Sequence, residues 1–206
     1  MNVSPPPGAR TSPSTARNRE PILAALAPRL PDGARVLEIA SGAGEHAAFL
    51  AAALPQVHWL PTDNDAGARD SIAAWRAAAA LPNLGAPLAL DAADPASWPQ
   101  VGRIDAVVCI NMIHISPWSA AEGLFAGAAE RLSAGGRLFC YGPFLEHGVV
   151  TAPSNLAFDE NLRSRDSRWG LRQVEAVAAL AASYGLRLEA RLDMPANNLM
   201  LVFAKD

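Results

Sequence analysis

A chain of 206 residues, half of them apolar and 18% charged, suits one globular domain with its own core and is too apolar for a disordered one. Its 17 Lys and Arg against 20 Asp and Glu leave a formal charge of −3, so no long-range field draws it to phosphate-rich partners and nucleic acid is not expected. No window holds the roughly 18 consecutive apolar residues of a membrane helix, and Met1–Arg19 has no apolar signal core. A cytoplasmic protein with no membrane partner is the expectation.

Residues 1–12, rich in Pro and Ser, read as a flexible lead-in to a single domain over 13–206. Ile22, Leu23, Leu26 and Leu30 recur at helical spacing and predict a helix over Ala16–Leu30. Pro31-Asp32-Gly33 turns the chain into a short buried strand, Arg35–Ala40, which runs into the loop Ser41-Gly42-Ala43-Gly44 and a helix over Glu45–Ala53. Val57–Pro61 is a second strand, and Thr62–Asp65 caps a third helix that stops before Pro82. Ala86–Leu90 gives a third strand, and Ile104–Asn111, almost wholly apolar, a strand buried on both faces.

A helix over Ala120–Leu132, stopped by Gly135-Gly136, leads to a fifth strand at Arg137–Tyr141. From Gly142 to about Gly170 periodicity fails, and so long an irregular stretch predicts a cap over the site at 142–170. A helix over Leu171–Tyr184 is followed by strands at Leu186–Leu192 and Asn198–Ala204. The link between these strands, Met194–Asn197, is too short for a parallel crossover, so the last pair is antiparallel. The rhythm predicts an α/β fold, Rossmann-like, with a mostly parallel seven-stranded sheet, an antiparallel last strand and helices on both faces.

Cys109 and Cys140 lie in apolar runs and read as buried free thiols, while His46, His58, His114 and His147 have no metal-ligand spacing, so no metal is expected. Chemistry concentrates at Glu38–His46, a strand end, a glycine turn and a helix start. Glycines let a backbone approach a ligand, and the helix N-terminus offers free N–H donors. Glu45 and His46, in that first helical turn, are cofactor-side candidates, Glu45 also suiting the helix dipole.

Gly42-x-Gly44-x-x-Ala47 equally satisfies a dinucleotide fingerprint, so spacing alone leaves a nicotinamide cofactor open. Asp63 follows the glycines by about twenty residues, at a strand end where a carboxylate accepts ribose hydroxyls. Asp91 and Asn111 end the next two strands, so successive strand ends carry glycine or polar groups along one edge of the sheet. His114, just past Asn111, is the candidate general base, because an imidazole titrates near neutral pH. Arg17, Asn18, Tyr141, Asp159, Arg165 and Trp169 complete the substrate-side candidates.

Glu38-Ile39-Ala40-Ser41-Gly42-Ala43-Gly44 resembles motif I of the class I methyltransferases that use S-adenosylmethionine (SAM), E/D-x-G-x-G-x-G, with Ala40 at the first glycine. The resemblance implies SAM as cofactor, held by Glu38, Ala40, Ser41, Gly42 and Gly44, with Asp63 and Asn64 at the ribose. It further implies Asp91-Ala92 at the adenine edge and Asn111-Met112 after the fourth strand. Ser12-Pro13-Ser14-Thr15-Ala16-Arg17-Asn18-Arg19-Glu20-Pro21-Ile22 is similar to the S-P-x-x-x-R-N-x-x-P-I of an uncharacterised methyltransferase-like family, as are Ser41–His46, Asn111–Trp118 and Met194–Asn198. The implied activity is methyl transfer to an oxygen or nitrogen of a small-molecule acceptor. A SAM-binding protein without turnover and an NAD-dependent oxidoreductase are the alternatives.

Overall fold

The computed structural model describes residues 5–98 and 101–206. Its elements alternate along the chain. Helix α1 (Pro13–Leu26) precedes β1 (Arg35–Ile39), and α2 (Glu45–Ala53), β2 (His58–Asp63), α3 (Ala66–Ala79) and a two-residue β3 (Leu88–Ala89) follow. The second half holds β4 (Ile104–Ile110), α4 (Trp118–Arg131), β5 (Leu132–Gly142), α5 (Pro153–Arg165), α6 (Val174–Ser183), β6 (Leu186–Met194) and β7 (Asn198–Lys205).

The strands form one seven-stranded sheet in the order β3-β2-β1-β4-β5-β7-β6. β1 to β5 pair in parallel, whereas β7 runs antiparallel to both β5 and β6. The chain builds outward from β1 in one direction through β2 and β3, then returns to the other side of β1 with β4. That reversal leaves a crevice at the C-terminal ends of β1 and β4, where ligands bind in open α/β sheets.

Both faces of the sheet are covered. On one, α1, α2 and α3 pack Ile22, Leu26, Leu50 and Trp75 against Trp59, Val108, Phe139 and Val202. On the other, α4 and α6 bring Leu124, Phe125 and Val177 onto Val107, Leu138 and Phe203, and Phe125 meets Phe203 edge to face with centroids 5.1 Å apart. β4 lies at the centre with Ala106, Val107 and Val108 fully buried, which is why its sequence is a continuous apolar run rather than an alternating one. β6 is the opposite case, an edge strand whose residues alternate between buried or half-buried and exposed.

The helix expected at Ala16–Leu30 starts earlier, with Pro13 in its first turn, and tightens into a short 3₁₀ turn at Ala27–Arg29. The segment without periodicity contains α5. It was invisible as an amphipathic pattern because only Asn155 and Leu162 of its thirteen residues are buried. Gly135 and Gly136, expected to stop a helix, instead lie inside β5, opposite a register shift in β4 between Ile104 and Ala106. Of the residues expected to form a flexible lead-in, Arg10 donates its N–H to Ser71 Oγ (2.7 Å) and receives Trp75 Nε1 on its carbonyl (3.0 Å), against α3. Residues 1–4 lie outside the described residues. Among those described, no helix is long and apolar enough to cross a membrane.

One amide secures the turn between α2 and β2. Asn83, buried in the loop after α3, donates its Nδ2 to the carbonyls of Ala51, Leu54 and Val57 at 2.9, 3.1 and 2.9 Å. Ala51 lies in the last turn of α2, Leu54 is its C-cap and Val57 precedes β2, so one side chain ties the helix end to the start of the strand. Asn83→Leu leaves the three carbonyls buried without that donor. The expected loss is about 2 kcal/mol, read as a fall in Tm of roughly 4–8 °C by circular dichroism.

Candidate active site

The loop between β1 and α2 is held in an unusual backbone conformation. Ala40, Gly42 and Gly44 have φ of 54°, 57° and 88°, so the chain makes three left-handed steps within five residues. The first falls on an alanine, whose Cβ opposes it. A clamp to β2 keeps it there. Ser41 N–H donates to the Thr62 carbonyl (2.8 Å), Thr62 N–H donates to Ser41 Oγ (3.2 Å) and Thr62 Oγ1 donates to the Glu38 carbonyl (2.8 Å). Gly44 allows α2 to begin against α3, since a Cβ there would lie 2.8 Å from Ile72 Cα.

Asp63 joins the loop to the next element. One carboxylate oxygen accepts Gly42 N–H and the other Asp65 N–H, both at 2.9 Å, while Asp65 caps α3 by accepting Ala68 N–H. A carboxylate has lone pairs to spare beyond these two bonds, and Asp63 lines the cleft beside them.

That cleft, about 410 Å³, opens where the strand order reverses and falls within the range of small-ligand sites. It collects many of the residues named from the sequence. Ala40, Gly42, Asp63 and Asn64 line one side, and Asp91, Ala92 and Met112 the other. Ser116 and Pro117, within the family-like segment Asn111–Trp118, also line it, as does Ser119 in the first turn of α4, which was not singled out beforehand. A usable signal lay in Gly123. A Cβ at that helical position would sit 1.8 Å from the Ala92 carbonyl oxygen, so α4 presses directly on the turn that forms this wall.

The remaining cofactor-side candidates sit behind the lining. Glu38 lies fully buried beneath the loop, accepting Trp59 Nε1–H at 2.8 Å. Burial drives its pKa up to about 7, against the opposing pull of hydrogen bonds from Trp59 and Ser41. Ser41 and Gly44 shape the loop as described. Glu45 accepts Ser12 N–H (2.5 Å). His46 joins α2 to α1, with Nε2 on Asn18 Oδ1 at 2.8 Å and Nδ1 3.5 Å from Thr15 Oγ1, and burial lowers its pKa to about 4. Asn111 takes a left-handed φ of 63° at the end of β4, its N–H on the Tyr141 carbonyl (2.8 Å).

The substrate-side candidates divide. Asn18 meets Tyr141 by a side-chain hydrogen bond, with the Arg17 charge nearby, and desolvation raises the Tyr141 pKa. Asp159, Arg165 and Trp169 have partners of their own. Asp159 accepts Arg163 Nε–H (2.8 Å) and Leu171 N–H (2.7 Å), and the Arg165 guanidinium lies 5.1 Å from the Trp169 ring centroid.

His114 differs most from its expected setting. It has no exposed surface, and neither ring nitrogen has a hydrogen-bond partner. Phe144 meets it edge to face at 4.7 Å, and a Cβ on Gly142 would fall 2.5 Å from Nε2. Desolvation, reinforced by the Arg172 charge, lowers its pKa to about 3. The ring is therefore neutral at physiological pH and a weak proton acceptor, since an efficient base titrates near the working pH.

The sheet order, the glycine turn after β1 and the acid after β2 define a Rossmann-like methyltransferase fold. Solved structures share it. An O-methyltransferase family protein from Burkholderia thailandensis superposes with a TM-score of 0.80 at 17% identity, over 94% of this chain and 57% of that one. CalO1, a methyltransferase in calicheamicin biosynthesis in its S-adenosylhomocysteine (SAH)-bound form, gives 0.72 at 16%, over 94% and 55%. The O-methyltransferase family 2 protein from Planctomyces limnophilus DSM 3776, in complex with apigenin, gives 0.73 at 16%, over 93% and 63%. The chain thus spans between 55% and 63% of the length of these proteins. Residues 9–205 match the family described as Protein of unknown function (DUF938), and the chain belongs to that family.

Two measurements follow from the loop. The folded chain keeps the Glu38 proton up to about pH 7, whereas an unfolded glutamate releases it near 4.5. Stability therefore falls as pH rises between those values and is level above. Glu38→Gln, which still accepts from Trp59, removes that slope, raising stability at alkaline pH by about 3 kcal/mol relative to the native chain in urea unfolding. Ala40→Gly relieves the left-handed alanine and stabilises by about 0.5–1 kcal/mol after the entropy of the added glycine is subtracted.

Proposed function

We propose that the protein is a SAM-dependent methyltransferase acting on a small-molecule oxygen or nitrogen acceptor. The observation that carries the reading is the meeting of the left-handed glycine turn with Asp63 in a cleft at the reversal of strand order. The residues fit the cofactor. The free lone pairs of Asp63 suit the two ribose hydroxyls, Asp91 and Ala92 form the wall expected for an adenine, and Ala40 and Gly42 bring bare backbone to the floor.

SAM supplies a methyl group already activated by its sulfonium, so the chain's task is alignment and desolvation more than acid–base chemistry. Met112, Ile110 and Ile115 give the cleft an apolar flank that excludes water from the transfer. Asn111 ends β4 beside that flank, and Tyr141 is paired with Ile110 on β5. His114, neutral and fully buried between Phe144 and Gly142, packs behind the cleft rather than serving as a strong base.

Calorimetric titration with SAM, SAH and NAD in parallel tests this directly. Binding of both adenosyl ligands without NAD supports the transferase. Binding of NAD alone would make the fold an oxidoreductase, and SAM binding without turnover over a broad acceptor panel would make it a non-catalytic SAM binder. Asp63→Ala and Gly42→Val are each expected to weaken SAM by about tenfold or more, about 1.4 kcal/mol, with the far-ultraviolet spectrum unchanged.

A further inference from the structure

A second cleft, about 400 Å³, lies farther along the same edge of the sheet, between the loop after β5 and the β6–β7 hairpin. One packing contact links it to the first. Phe144 lines it and packs on His114, whose sequence neighbours Met112 and Ile115 line the cofactor cleft. Leu199, in its floor, is paired with Gly142, the residue against which His114 lies.

The polar groups of this cleft are biased toward acceptance. Asn155 is only 8% exposed, and its Nδ2 is committed to the Asn197 carbonyl at 2.8 Å. Asn198 Nδ2 is committed to the carbonyls of Pro195 and Ala196. Because carbonyls can only accept, these bonds fix which end of each amide is nitrogen, and among the described residues no group donates to either Oδ1.

Charge points the same way. The ionised side chains lining the cleft are Glu146, Arg191 and Asp193, two negative and one positive, which leaves one net negative charge. The Arg191 charge is already met by two carboxylates, since three of its five N–H groups hold both Glu146 oxygens at 2.8 and 2.7 Å and Asp193 Oδ1 at 2.5 Å. Apolar surface makes up the smaller part of the lining, from Phe144, Met194 and Leu199 inside to Val149 and Val150 at the mouth, where the two valines are exposed.

We propose that this cleft is the acceptor site and that it takes a primary or secondary amine carried on a compact apolar body. The proposal rests on the methyltransferase reading and narrows it. A ligand rich in N–H donors and positively charged meets the open amide oxygens and the surplus carboxylate, whereas a carboxylate ligand meets one cation already shared between two carboxylates. An amine also needs no strong base. The bound ammonium releases one proton to water, its nitrogen lone pair forms the new N–C bond, and the C–S bond breaks with its electron pair staying on sulfur. The products are the methylated ammonium, SAH and one proton.

Phenethylamine, 2-phenylethanol and phenylacetate, matched in size, separate the possibilities when titrated into the full chain with and without SAH. The readout is the side-chain amide resonances of Asn155 and Asn198. The amine is expected to shift both, the alcohol to bind at least fivefold more weakly and the carboxylate to leave them unmoved. Asp193→Lys, an exposed substitution at the hairpin that spares the fold, should weaken the amine by about tenfold, and Asp193→Asn by less, with SAM affinity unchanged in both. Alcohol or carboxylate binding as tight as the amine, no binding of any of the three, or indifference to Asp193→Lys would each overturn the proposal. Loss of SAM binding with amine binding intact would instead sink the transferase reading and leave an amine site standing.

Discussion

A single carboxylate organises the ligand-binding edge. Asp63 takes the N–H of Gly42 on one oxygen and the N–H of Asp65 on the other, so the turn after β1 and the cap of α3 are fixed relative to each other. A backbone run with three left-handed residues would otherwise sample many shapes. Preorganisation of this kind lowers the ordering cost of binding, since the loop does not have to be frozen by the ligand. The Ser41–Thr62 clamp and the close approach of Gly44 to Ile72 act in the same sense.

The electrostatics of the site follow from burial more than from pairing. Glu38, His46 and His114 are all displaced toward their neutral forms by desolvation. The carboxylates that line the first cleft are Asp63, itself buried, and Asp91, which is exposed. The second cleft, with its carboxylates around Arg191, is electrostatically distinct from the first.

Much of this was legible in the amino-acid sequence because periodicity and punctuation agreed. The apolar run of β4, the glycine turn, the acid after β2 and the short link before β7 each correspond to one local rule, and each falls at its predicted place. What escaped depends on contacts between distant segments. Nothing around Asn83 announces that it holds the end of α2, because its three carbonyl partners lie 26 to 32 residues away. α5 buries too little to show a stripe. The type of residue at His114 suggested a base, but basicity depends on the packing of Phe144 and Gly142 around it, which spacing does not encode.

The placement of β7 bears on how the molecule is made. It follows β6 in the chain yet lies between β5 and β6, hydrogen-bonded to both. During synthesis β6 can therefore find its place only when the residues after it have emerged, and until then β5 presents an unpaired edge with Leu138, Phe139 and Cys140 behind it. Emergence of β7, rather than the formation of any earlier helix, sets the moment at which this sheet can close. A nascent chain stalled short of β7 exposes the surface most prone to pairing with a neighbour.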